Sequence, residues 1–192
     1  MRVIAGASRG RRLVAPRGWD TRPATARVRA SIFSRIASRF EIAQSRVLDL
    51  FAGSGSLGLE ALSRGAAEAV FVDSSRAATA AITRNLRQFG LEAHARVMPL
   101  DIRRALAELA KAGERFDLVF VDPPFAQDSS GEVLAKLARL DLLNPHGIVI
   151  VRQFHRAPDL EVAELERVNL ATLGDHRIAL YRRAGAAAAE TM

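Results

Sequence analysis

The stretch Val47-Leu48-Asp49-Leu50-Phe51-Ala52-Gly53-Ser54-Gly55-Ser56-Leu57-Gly58 decides the fold. A short apolar run gives way to a glycine-rich turn, and the turn opens directly into a helical pattern. That order reads as a buried strand, a loop and a helix. Its glycines let the backbone approach a ligand closely and adopt unusual dihedrals. A ligand site follows at the carboxyl edge of a parallel sheet, with Phe51, Ala52, Gly53, Ser54 and Gly55 as its loop.

Downstream the same alternation continues. Val47–Phe51, Ala69–Val72, Ala95–Met98, Leu118–Val121 and Ile148–Val151 read as strands, and Leu57–Arg64, Arg76–Phe89, Arg103–Lys111 and Gly131–Leu140 as the helices between them. Near-continuous apolar strands alternating with helices imply a doubly wound parallel sheet. Glu166–Thr172 and Arg177–Arg182 then flank Leu173-Gly174-Asp175-His176 with no room for a crossover helix, which predicts an antiparallel hairpin. Five parallel strands followed by such a hairpin resemble the class I methyltransferase fold: α/β, Rossmann-like, with a mostly parallel seven-stranded sheet. Residues 46–183 are expected to form this domain, and residues 184–192 a disordered tail.

Upstream the chain changes character. Residues 1–46 carry eleven Arg and no Lys against two acids, a net +9, whereas residues 47–192 carry fifteen Arg and two Lys against nineteen acids, a net −2. Codon bias explains Arg in place of Lys, but not acids missing from one quarter of the chain. Clustered Arg suits a polyanion, because neutralised phosphates release their counterions. Arg2–Ala5 and Arg11–Val14 around the turn Gly6–Gly10 predict a small basic hairpin. Val28, Ile32, Phe33, Ile36 and Phe40 recur at helical spacing after Thr25, a good N-cap, and predict a basic amphipathic helix over 25–40. Residues 1–45 are thus expected to be a nucleic-acid-binding extension.

With 192 residues, 49% of them apolar, the chain suffices for one packed domain and a small appendage. It has no cysteine, which excludes disulfides, thiolate nucleophiles and Cys-ligated metals. No stretch reaches the ~18 apolar residues of a membrane span, and no apolar segment follows the N-terminal charge, so a cytoplasmic protein is expected.

The carboxylates narrow the ligand. Asp49 stands just before the glycine loop, where nicotinamide enzymes more often carry an apolar residue. An anionic side chain there suits a cationic ligand better than a pyrophosphate. S-adenosylmethionine fits, with a sulfonium, an ammonium and no phosphate. Asp73 ends the second strand, where a carboxylate accepts from ribose hydroxyls. Asp101 follows the third and is placed for the adenine amine, or to cap the next helix.

After the fourth strand comes Asp122-Pro123-Pro124-Phe125. Consecutive prolines hold the chain rigid at the sheet edge. An exocyclic base amine is a poor nucleophile because its lone pair is delocalised. Hydrogen bonds to the Asp122 carboxylate and the Pro123 carbonyl favour a more sp3-like nitrogen, and Phe125 is suited to stack on an extracted base. No metal is required.

Four segments carry a resemblance to the RsmD family of 16S ribosomal RNA guanine-N2 methyltransferases: Arg2-Val3-Ile4-Ala5-Gly6 with Gly10-Arg11-Arg12-Leu13; Thr21-Arg22-Pro23 with Thr25, Arg27-Val28-Arg29 and Phe33; Asp49 with the run from Phe51 to Gly65; and Asp122-Pro123-Pro124-Phe125. The resemblance implies methyl transfer from S-adenosylmethionine to N2 of a guanine in 16S RNA or the assembling 30S subunit; a monomer is expected, since a large RNA surface leaves little reason for a partner. It implies that Asp122 and Pro123 hold the amine and that the hairpin and helix engage RNA through Arg2, Arg11, Arg12, Arg22, Arg27 and Arg29. The chain departs from the family pattern at Ala26, Ala30 and Arg152, where acids are usual.

Three other readings compete with this one. A DNA adenine-N6 or cytosine-N4 methyltransferase shares the Asp-Pro-Pro-aromatic motif, but no target-recognition domain is evident. A non-catalytic RNA-binding assembly factor would be expected to have lost Asp122 or the glycine loop. A nicotinamide oxidoreductase lacks an evident proton-transfer residue, since His94, His146, His155 and His176 are scattered and read as surface or turn residues.

Overall fold

A computed structural model describes residues 1–16, 25–124 and 129–185. In chain order the elements are α1 (Ala26–Ala37), β1 (Arg46–Leu50), α2 (Ser56–Ser63), β2 (Glu68–Val72), α3 (Arg76–Phe89), β3 (Ala95–Met98), α4 (Ile102–Lys111), β4 (Phe116–Val121), α5 (Ser130–Arg139), β5 (Leu143–Phe154), β6 (Leu165–Leu173) and β7 (His176–Arg183). The strands form one sheet in the order β3-β2-β1-β4-β5-β7-β6. β1 to β5 are parallel, and β7 runs antiparallel to both β5 and β6. The chain winds outward from β1 in one direction and resumes at β4 in the other, so the carboxyl ends of β1 and β4 meet at the switch point where such sheets bind ligands.

Side-chain alternation divides the core into two layers. Val47, Phe71, Leu118, Phe120, Ile148, Ile150 and Leu180 face α1, α2 and α3, while Leu48, Leu50, Val70, Val119, Val121, Val149 and Tyr181 face α4 and α5. Thr25 caps α1 as expected, accepting from the Val28 N–H at 3.3 Å. Val28, Ile32, Phe33 and Ile36 are buried in the first layer, where Phe33 meets Phe120 with 5.7 Å between ring centroids. The helix ends at Ala37, short of the expected Phe40. β5 is far longer than the Ile148–Val151 run suggests, because Leu143 already pairs with Phe116 of β4 and pairing with β7 continues to Phe154.

The expected N-terminal hairpin forms around one bridge, Arg2 with Arg12, and three cross-strand backbone hydrogen bonds, Val3 to Arg11 at 3.0 Å and Gly10 to Val3 and Leu13 to Met1 at 2.9 Å. Other backbone N–H groups find partners outside the hairpin. The N–H groups of Ile4 and Ala5 donate to the Glu60 carboxylate at 2.7 and 3.0 Å, and that of Ser8 to Ser63 Oγ at 2.9 Å. Val14 exchanges two hydrogen bonds with the Asn85 side chain, at 2.8 and 3.0 Å. Val3 and Leu13 are buried in the same layer as α1. The first sixteen residues are thus docked onto α2 and α3.

The docking requires a glycine at position 6. Gly6 has φ +81°, and a Cβ there would lie 1.7 Å from the Ser63 carbonyl oxygen. Gly6→Ala is expected to cost at least about 2 kcal/mol through the clash and the left-handed backbone, lowering the melting temperature by roughly 5 °C or more in differential scanning calorimetry. An unchanged melting temperature would mean that the segment is not bound to α2 in this way.

Candidate active site

The loop after β1 is held by backbone geometry and two carboxylates. Phe51 has φ +58°, a left-handed conformation that costs a non-glycine residue energy and recurs at ligand sites. Its ring packs on the second core layer. Asp49 is 1% exposed and accepts one hydrogen bond, from the Gly58 N–H at 2.9 Å. Helix α2 can come this close only because residue 58 is glycine, since a Cβ there would sit 2.4 Å from the Phe71 ring and 3.2 Å from the carboxylate. Burial pushes the Asp49 carboxyl well above the usual carboxylate range; the Gly58 N–H opposes this, and the charges of Asp122 and Asp73 add to it.

Asp73, at the end of β2, pins the far side of the loop. Oδ2 accepts from the Gly53 N–H and Oδ1 from the Ser75 N–H, each at 2.8 Å. Each oxygen keeps a further lone pair for a hydroxyl donor. Ala52 donates to the Val72 carbonyl at 3.1 Å and Gly55 to the Ala52 carbonyl at 2.7 Å, so the loop lies over the ends of β1 and β2. Asp101 is exposed and caps α4, its Oδ1 accepting from the Arg103 N–H at 2.9 Å.

Asp122 follows β4 directly, beside the Asp49 strand. Its Oδ1 accepts from Arg152 Nε at 2.5 Å, and both side chains are largely buried, 15% and 8% exposed. Arg152 Nη1 lies 3.2 Å from His176 Nδ1. Burial raises the Asp122 carboxyl above its ordinary value, opposed by Arg152 and, when its ring is protonated, by His176. Pro123 and Pro124 open onto a cavity of about 250 Å³, completed by Arg152, Gln153, Phe154 and residues 156–158. Phe125 lies outside the described residues, as does Arg22.

The arginines expected to meet RNA separate into distinct groups. Arg2, Arg12 and Arg27 are exposed with no carboxylate oxygen within 4 Å among the described residues. Arg11 reaches α3, its guanidinium 4.6 Å from the Phe89 ring centroid and donating to the Gln88 and Phe89 carbonyls. It completes a helix C-terminus, where a cation is favourable. Arg29 corrects the expectation: it is wholly buried, and Nη2 donates to the Arg2 carbonyl at 2.6 Å. Helical periodicity puts residue 29 one position after Val28, on the flank of the apolar stripe, and docking of residues 1–5 closes over it.

Three residues that organise this region escape a reading of the sequence, while Arg152 stands out there as a departure from a family pattern near the sheet's carboxyl edge. His176 reads only as one scattered histidine among four. Glu60 is fully buried, binding Ile4, Ala5 and Arg64. Asn85 is equally buried, and Nδ2 also donates to the Ser54 carbonyl at 3.0 Å, so one side chain ties the N-terminal segment to the glycine loop. A signal for it exists: Asn85 continues the apolar face Ala78, Ala81, Ile82, Leu86 and Phe89 of α3.

Sheet order, glycine loop and the carboxylates at the switch point define a class I, Rossmann-like methyltransferase fold. The family described as conserved hypothetical protein 95 matches residues 1–182. The chain belongs to this family, the RsmD family. Bacillus subtilis YlbH is 38% identical over 187 residues, 96% of this chain and all of YlbH. Ribosomal RNA small subunit methyltransferase D of Escherichia coli K12 is 42% identical over 125 residues, 65% of this chain and 60% of that protein. The solved structure of Escherichia coli yhhF matches at a TM-score of 0.80 with 34% identity, over 95% of this chain and 97% of that one.

Proposed function

We propose that the protein transfers a methyl group from S-adenosylmethionine to the exocyclic N2 amine of a guanine in 16S ribosomal RNA. The observation that carries this reading is the pair of carboxylates at the ends of neighbouring strands, Asp49 buried in β1 and Asp122 directly after β4, the latter bonded to Arg152, which lines a cavity with Pro123. The small-subunit RNA methyltransferase among the relatives supports the substrate class.

The donor set fits S-adenosylmethionine. A buried carboxylate with a single N–H partner is costly unless a cation joins it, and the amino-acid part of this cofactor brings an ammonium. Asp73 has acceptor capacity for the ribose hydroxyls, Asp101 is placed for the adenine amine, and residues 51–55 form the wall between them. When bound, the cofactor supplies an electrophilic methyl on a sulfonium.

The chain's own residues then prepare the amine. Asp122 and the Pro123 carbonyl accept its two N–H groups and turn the nitrogen lone pair toward the methyl. Methylation of that nitrogen would release one amine proton, which the Asp122 carboxylate would accept and pass to solvent. Phe125 is assigned to stacking on the base. Residues 1–45 are assigned to RNA, residues 46–183 to cofactor and chemistry, in a monomer working in the cytoplasm. Arg2, Arg12, Arg22 and Arg27 are assigned to phosphate, while Arg11 acts by fixing the N-terminal segment to α3.

The test is incubation with radiolabelled S-adenosylmethionine and 30S subunits, free 16S RNA or genomic DNA from a strain lacking the endogenous enzyme, followed by nucleoside analysis. Label is expected as N2-methylguanosine in RNA; methylated adenine or cytosine in DNA would overturn the substrate. Arg12→Ala with Arg27→Ala is expected to lower the slope of log affinity against log salt by nearly 2 and to leave the melting temperature within about 2 °C. Arg29→Ala is expected to lower that temperature instead, with the salt slope kept.

A further inference from the structure

We propose that Arg152, braced by His176, is a positioning residue that fixes one oxygen of Asp122 and leaves the other for the amine. The inference rests on the reading of Asp122 as the amine-binding carboxylate. Three strands contribute: Asp122 directly follows β4, Arg152 lies near the end of β5, and His176 opens β7. Register places Phe154 opposite His176 and Val151 opposite Val121, so all three side chains gather at the carboxyl edge of the sheet.

A carboxylate on a short chain end can rotate, and its two oxygens are equivalent until something distinguishes them. The Nε–H of Arg152 does so by binding Oδ1 at 2.5 Å. Oδ2 then remains as the acceptor for the substrate N–H. Arginine has no acceptor of its own, so the 3.2 Å contact to His176 Nδ1 requires that ring nitrogen to be unprotonated and accepting. The guanidinium is thereby held at two of its edges, on two different strands. Its planar fork loses little freedom on forming these bonds, which a flexible lysine would not reproduce.

Electrostatics give the clamp a second role. The groups coupled to Asp122 among the described residues are Arg152 on β5, His176 on β7, and Asp49 on β1, whose own carboxyl the Asp122 charge raises. Burial favours the protonated carboxyl, and a protonated Asp122 can neither hold both polarising contacts nor take the departing proton. Arg152 opposes it. Removing its charge moves protonation of Asp122 to higher pH, and the acid side of the rate profile moves with it.

The experiment compares wild type with Arg152→Met, Arg152→Lys and His176→Phe. In cofactor-free protein, 13C NMR of aspartate carboxyls, with Asp122→Asn identifying the resonance, is expected to show Asp122 titrating at higher pH in Arg152→Met than in wild type, with Arg152→Lys close to wild type. In turnover on 30S subunits, Arg152→Met is expected to lose at least tenfold in kcat with the acid limb shifted upward, while cofactor affinity stays within threefold. Arg152→Lys should restore the limb but only part of kcat, and His176→Phe should lie between. Coincident Asp122 titrations in wild type and Arg152→Met would overturn the proposal, as would equal kcat losses in the Lys and Met variants with unmoved limbs. Should Arg152→Met fail to fold, the Lys and His176 variants carry the same comparison. Full activity in Asp122→Asn would remove the reading of Asp122 itself, a result distinct from either.

Discussion

Asp49→Asn is expected to melt at a higher temperature than wild type at pH 7.5 and to bind S-adenosylmethionine at least about 100-fold more weakly, a loss of roughly 2.7 kcal/mol. Both effects come from one buried charge. The folded-state pKa of Asp49 is raised, chiefly by burial. A carboxyl shifted in that direction leaves stability intact below its unfolded pKa of about 4 and removes it as pH rises through the folded value. The neutral amide escapes that loss and can still accept from Gly58. The gain is therefore present at neutral pH and vanishes below about pH 4, which scanning calorimetry at the two pH values will show. Titration calorimetry gives the binding half, since the amide offers no charge to an ammonium. An Asp49→Asn protein that is less stable than wild type at pH 7.5, or that binds the cofactor normally, would contradict this account.

Asp122→Asn is expected to reduce turnover by about 10³-fold or more, with cofactor affinity within threefold of wild type. The size of the effect follows from Arg152. Asparagine has a single acceptor oxygen, and the guanidinium takes it, since arginine can only donate. The amide NH2 is then turned to the substrate, where it faces another N–H donor. Proton acceptance is lost as well. In wild type the raised Asp122 pKa means that kcat falls with decreasing pH through a value above the ordinary carboxylate range. The asparagine variant should lack that limb. Retained turnover with a normal acid limb would assign the ionisation to another group.

How much of this is legible in the sequence depends on the range of the interactions involved. α3 matches its expected span, Arg76–Phe89, and the parallel strands follow from the pattern, because alternation and helical periodicity are local. Asp49, Asp73 and Asp122 stand out because strand-end position and neighbouring glycine or proline determine their surroundings. The N-terminal hairpin is less regular than its sequence implies, since its N–H groups are diverted to Glu60, Ser63 and Asn85, which lie 55 to 71 residues away. Periodicity leaves Arg29 at the surface for the same reason: the Arg2 carbonyl that it meets lies 27 residues away in sequence. The network of Asp122, Arg152 and His176 spans three strands and requires the register of β5 against β7.

The docking of the first sixteen residues has a consequence for synthesis of the chain. Ile4 and Ala5 wait for Glu60, and Arg11 and Val14 wait for Asn85 to Phe89, at separations of 55 to 78 residues. At about 5–20 residues per second, several seconds pass between the emergence of the first arginines and that of their partners. Throughout that interval they are an unanchored cationic peptide attached to a translating ribosome. These residues thus take their final shape seconds after they are made, and they pass the interval beside RNA of the kind their arginines are proposed to grip.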